Sequence, residues 1–245
     1  MAEITSMSDR VKLFSLLWLL GLPGVLSLVV LPLPVEVGAT VYWVKALVLV
    51  QPTILLSLAV LAGVQFAQRV GLSAPVAEAV VQRQSWRQAI APQLLPGLIG
   101  GLASGGALVA IAALAQPWLP PAYLAAESPP ALVRFLYGGI TEEILMRWGL
   151  MTLLLWLGWR LGQGRQGMPA KGWVAGAIGL SALLFGLAHL PYAIALGLPL
   201  SPLLVGYLLL QNGLFALVAG YLYWQYGLES AMVAHLVVHA LALLY

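Results

Sequence analysis

Seven stretches of roughly 20 mostly apolar residues, joined by short connections, constrain this chain more than any other feature. About 20 such residues cross roughly 30 Å of hydrocarbon as an α-helix. The stretches run from about Leu13 to Leu31, Val41 to Val64, Leu94 to Ala115, Ala131 to Leu157, Trp173 to His189, Leu203 to Tyr223 and Glu229 to Tyr245. A water-soluble surface normally needs about a quarter charged residues. Here 62% of residues are hydrophobic and 8% charged, so lipid is the solvent for most of the chain. The expected fold is an all-α polytopic transmembrane bundle of about seven spans, forming one membrane-embedded domain over residues 1–245.

Between the second and third stretches, Leu72 to Gln93 mixes Glu78, Arg83 and Arg87 with apolar residues, which predicts an amphipathic helix at the interface. The first apolar run is followed by Pro32 and Pro34 and no small-residue cleavage site, so it reads as a retained span and not a signal peptide. Positive charge is unevenly placed. If every span crosses, Arg10, Lys12, Arg69, Arg83, Arg87, Arg160, Arg165 and Lys171 share one side, against Lys45 and Arg134 on the other. That asymmetry predicts a cytoplasmic N terminus, in a bacterial inner membrane or its equivalent. Trp43, Trp118, Trp173 and Trp224 lie near helix ends, where an aromatic belt forms. Gly97, Gly100, Gly101, Ser104 and Gly105 predict close helix packing on the third span.

With no cysteine, disulfides, thiolate metal sites and a Cys nucleophile are excluded. The lysines and arginines form no single stripe, so nucleic acid is not an expected partner. Chemistry falls to Glu, His, Arg and hydroxyls. An ionisable side chain inside a span costs on the order of 3 kcal/mol on insertion scales and usually marks function. The fourth stretch holds Thr141, Glu142, Glu143 and Arg147, the fifth ends on Phe185 and His189, and the seventh holds His235 and His239. All three histidines of the chain are in this set.

At about 100° per residue, Glu143 and Arg147 fall about 40° apart and one turn along, while Glu142 points about 100° away. Glu143 can then neutralise Arg147 and brace the helix, leaving Glu142 to face a cavity. His235 and His239 lie one turn apart on one face. A carboxylate and an imidazole can activate a water, with Glu142 taking its proton beside His189, and the other imidazoles can stabilise an oxyanion. The same four side chains, Glu142, His189, His235 and His239, would equally suit a divalent metal such as zinc. HLVVH, at His235 to His239, lacks the Glu of a zincin helix. Phe185, one turn before His189, is read as packing that fixes the imidazole rotamer.

The pattern resembles the CPBP intramembrane proteases, the CAAX protease and bacteriocin-processing or abortive-infection family. Glu142, Glu143 and Arg147 match its EExxxR motif, and Phe185 and His189 match FxxxH. His235 and His239 stand where its HxxxN-type motif falls. The resemblance covers about Arg134 to Tyr245, so the motif-bearing half is about 131–245. It implies that Glu142 and His189 activate water, while His235 and the residue at 239 stabilise the oxyanion. Position 239 is His where prenyl-protein endopeptidases carry Asn. Expected partners are membrane lipids and a peptide or membrane-anchored protein substrate. The same polar cluster would also serve a proton-coupled transporter or a non-catalytic membrane scaffold.

Overall fold

The computed structural model describes residues 6–31 and 41–244, without the side chains of 41–43. Pro32, Pro34, the Trp43 side chain and Tyr245 lie outside the described residues. Among the described residues the regular structure is all helix, with no strand. We number the helices α1 (Met7–Ser27), α2 (Val41–Phe66), α3 (Pro75–Val81), α4 (Trp86–Ala115), α5 (Ala131–Gly162), α6 (Lys171–Ala188), α7 (Leu190–Ala195), α8 (Pro202–Tyr226) and α9 (Leu228–Leu241). Serines start three of the long helices. Ser6, Ser85 and Ser201 accept from the backbone N–H of Asp9, Gln88 and Leu204 at 3.0, 3.4 and 3.2 Å, which satisfies donors the first turn leaves free.

Among the described residues, six helices are long and apolar enough to cross a membrane: α1, α2, α4, α5, α6 continuing into α7, and α8. The expected seventh span is shorter than the apolar run implied. Helix α9 has 14 residues, or about 21 Å at 1.5 Å per residue, less than the hydrocarbon thickness. The expected interfacial helix also divides. α3 keeps seven residues, and the remainder joins α4, which starts at Trp86 and not at Leu94 because Ser85 caps it there. Helix α3 has one buried and one open side: Ala77, Glu78, Ala79 and Val81 are buried where it packs against α1, α4 and α9, while Val80 is exposed.

The glycines of the third span act as close-packing positions. A Cβ at Gly97 would stand 2.8 Å from the Ser230 carbonyl, and one at Gly101 would stand 2.8 Å from that of Ala234. Their absence lets α9 lie directly on the α4 backbone, and Gly105 continues the contact against Val238 and Leu241. Trp118 and Trp173 are exposed at helix ends, as an aromatic belt requires.

Helix α5 departs from α-helical winding. Residues Arg134–Glu142 and Ile144–Met151 form wide i→i+5 turns. Threonine side chains follow the same spacing: Thr141 Oγ1 lies 3.3 Å from the Leu136 carbonyl, and Thr152 Oγ1 donates to that of Arg147 at 3.1 Å. Such winding is rare and concentrates at functional sites. Thr141 Oγ1 also donates to the Gly21 carbonyl at 2.7 Å, tying the wide segment to α1. The two acidic residues therefore sit at the junction of the two wide segments, held from outside by another helix.

Candidate active site

Helix α5 contributes Glu142, Glu143 and Arg147, the end of α6 contributes Phe185 and His189, and α9 contributes His235 and His239. Chain direction brings the relevant ends together. His189 closes α6, His239 stands in the last turn of α9, and the acidic pair lies in the first half of the antiparallel α5.

Glu143 is fully buried and holds two partners. Its Oε2 lies 3.1 Å from Arg147 Nε, and its Oε1 lies 2.7 Å from His235 Nδ1. The pairing with Arg147 follows the sequence expectation. The bond to His235 does not, because helical spacing on α5 pairs Glu143 with Arg147 alone. Arg147, 2% exposed, donates further from Nη2 to the Ala216 carbonyl at 3.3 Å. Its guanidinium stands over the rings of Phe185 and Phe215, at 5.0 and 5.6 Å from their centroids. Burying the pair costs several kcal/mol in desolvation, and each desolvated cation–π contact returns about 1–2 kcal/mol. Apolar side chains thus do electrostatic work in a region lipid would leave uncompensated.

Phe185 serves two sides at once. Its backbone carbonyl lies 2.8 Å from His189 Nδ1, and its ring meets that imidazole edge-on at 4.7 Å. The expectation that Phe185 packs on His189 is met, and the carbonyl adds a constraint on the proton. A carbonyl oxygen only accepts, so His189 carries Nδ1–H and, when neutral, presents Nε2 as a lone pair. The same reasoning applies to His235, whose Nδ1 faces an ionised carboxylate. Both rings leave Nε2 without a hydrogen bond to a described residue.

His235 and His239 stack with centroids 4.6 Å apart and planes 22° from parallel, on one face as their spacing predicted. The ring of Phe215 lies 4.2 Å from that of His235 on a different helix. His239 Nε2 is buried without a hydrogen-bond partner, and His189, His235 and Arg134 are all within its electrostatic reach. Gly138 makes room for this imidazole, because a Cβ there would collide with Nε2 of His239. Phe215 and Gly138 escaped the sequence reading. One is an ordinary apolar residue among leucines, and the other belongs to no recognisable motif.

Glu142 is half-buried and accepts no hydrogen bond from another described residue. Tyr137 and Arg147 are within its electrostatic reach. The angular separation from Arg147 that α-helical winding predicts is reduced here, because i→i+5 turns bring residues five apart onto one face. Glu142 keeps its own direction relative to Glu143 while sharing the field of Arg147.

A divalent metal needs three or more converging donors. Among the described residues, no three His, Asp or Glu side chains converge in that way. In this arrangement the four side chains do not fit a zinc ligand set.

Residues 124–241 match the model of the family described as type II CAAX prenyl endopeptidase Rce1-like. No curated protein and no solved structure matches the chain. The matched span holds all three motifs, every side chain of the buried network, and the two helices that carry Phe185 and Phe215. Residues 124–241 thus carry an Rce1-like type II CAAX prenyl endopeptidase domain, which matches the CPBP intramembrane protease family that the three motifs resemble.

Proposed function

We propose that this protein is an intramembrane endopeptidase that hydrolyses a peptide bond near the membrane surface with a water activated by Glu142 and His189. The observation that carries the reading is the division of labour between two adjacent carboxylates. Glu143 is consumed by Arg147 and His235, whereas Glu142 remains without a hydrogen-bond donor among the described residues. A half-buried carboxylate with no donor is a competent base.

Glu142 takes a proton from the water as its oxygen adds to the scissile carbonyl carbon, and His189 orients that water through Nε2. The carbonyl oxygen becomes an oxyanion, met by donors from α9. His239 donates from Nε2 in its neutral form. With Nδ1–H committed to Glu143, His235 donates from Nε2 only in its protonated form. Return of the proton from Glu142 to the leaving nitrogen breaks the C–N bond. No metal enters this scheme. The substrate is a peptide or a membrane-anchored protein. The protease domain is one unit with the preceding helices, and the positive charges favour a cytoplasmic N terminus in a bacterial inner membrane or its equivalent. The family match favours hydrolysis over the transport and scaffold readings.

The test is cleavage of a membrane-anchored reporter by purified protein in lipid, before and after chelation. Glu142→Gln and His189→Ala are expected to abolish turnover while the thermal midpoint stays near that of the parent, and chelation is expected to leave the parent active. Undiminished turnover in either variant removes the assignment, and loss on chelation with recovery on adding zinc removes the metal-free mechanism.

A further inference from the structure

The far end of α9 is gripped by a second polar network that takes no part in the chemistry above. Leu228 N donates to the Ser73 carbonyl at 3.1 Å, and Ser230 N donates to Gln93 Oε1 at 3.1 Å. Glu229 reaches the other way. Its Oε1 accepts from the backbone N–H groups of Val76 and Ala77 on α3, at 3.0 and 3.1 Å. Gln93 and Ser230 are buried, and Glu229 Oε2 is shielded from solvent without a hydrogen-bond partner. The turn that delivers the chain into this network is Gly227, at φ 111°. A Cβ there would collide with Pro75 and stand 2.9 Å from Gln93 Oε1.

Along the remainder of its length α9 lies on glycines. Gly97, Gly101 and Gly105 permit close approach, but a surface without side chains offers few knobs to oppose sliding or rotation. Register must come from elsewhere. A carboxylate shielded from solvent is a costly way to hold two helices together, and fixing register is the best attested use of such a group. Glu229 precedes His235 by about 9 Å along the axis, so a shift at one end arrives undiminished at the other.

We propose that Glu229 is a positioning residue: by binding the backbone of α3 it sets the register of α9 and hence the placement of His235 against Glu143. The activity part of its test rests on the function proposed above, but the spectroscopic part does not. The chain has three histidines, so imidazole 15N resonances in lipid nanodiscs are assignable with His189→Gln and His239→Asn. In Glu229→Ala the His235 resonances are expected to move toward those of an imidazole without a carboxylate partner. Turnover is expected to fall on the order of tenfold to a hundredfold at unchanged KM, as for a misplaced group in an intact binding site. Glu229→Gln retains an acceptor oxygen, and it is expected to restore the resonances and most of the turnover.

Parental His235 resonances in Glu229→Ala overturn the proposal. So does equal loss of turnover in the Ala and Gln variants, since damage that an acceptor oxygen cannot repair does not act through this contact. If the parent cleaves no peptide, the function proposed above fails, and the His235 resonances alone decide the role of Glu229. If Glu229→Ala does not fold, the same reading is taken from Glu229→Asp, which keeps a carboxylate but is one methylene shorter than the reach to the Val76 and Ala77 N–H groups.

Discussion

Glu143 and His235 lie 92 positions apart in the sequence and meet through a 2.7 Å contact between Oε1 and Nδ1. That contact makes Glu143 more than the counter-ion of Arg147. It links the acidic helix to the imidazole helix, so the same carboxylate governs both stability and the proton position on His235.

Glu143→Gln is therefore expected to cost stability and turnover together. Removing one partner of a buried ion pair costs about 3–5 kcal/mol, and an amide, which can donate as well as accept, no longer fixes the His235 proton on Nδ1. Thermal unfolding in detergent and turnover in lipid check this. A variant that loses turnover while keeping its thermal midpoint would mean that Arg147 is satisfied by Phe185, Phe215 and the Ala216 carbonyl alone.

Arg147→Met separates the two roles. It leaves Glu143 free to hold His235 while stranding its charge in the bundle, so a lower thermal midpoint is expected, with turnover per folded molecule less affected than in Glu143→Gln. Equal loss of specific activity in both variants would assign the guanidinium a direct part in the reaction.

Those relationships mark the boundary of what the sequence discloses. Composition and apolar runs disclose the helical membrane architecture because lipid leaves the backbone few alternatives. The motif residues are conspicuous because charge inside a span is expensive. The bond from Glu143 to His235 is not legible, since helical spacing pairs residues within a turn and says nothing of a helix 92 residues away. Nor is the wide winding of α5, which rests partly on Thr141 donating to Gly21 on another helix. Helix α9 reads too long because its apolar run continues past Leu241, where the helix ends.

Gly138 is expected to matter through His239. Gly138→Ala places a methyl group against Nε2 of that imidazole, so turnover should fall while the helices remain intact. His239→Asn shortens the side chain and should recover part of the loss in the Gly138→Ala background. A double-mutant cycle measures the interaction, and contacting residues give coupling of about 0.5–3 kcal/mol. Additive effects on turnover would show that the methyl group acts elsewhere.

Glu78 supplies a pH dependence on α3, outside the spans. It is 1% exposed, and burial raises its pKa above the ordinary 4.5, opposed by the Ala74 N–H and the Gln68 side chain. A carboxyl raised in the folded state favours folding while both states keep the proton, and that contribution is lost as pH rises through the folded pKa. The thermal midpoint should therefore decline as the solution is taken from below pH 4.5 upward. Glu78→Gln keeps an oxygen for the Ala74 N–H, at 3.1 Å from Oε1 in the parent, and has no charge to bury. It should match the parent at the acidic end and exceed it at neutral pH. Parallel curves for the two proteins would mean that Glu78 is ionised at no cost, compensated by Gln68 and the α3 backbone.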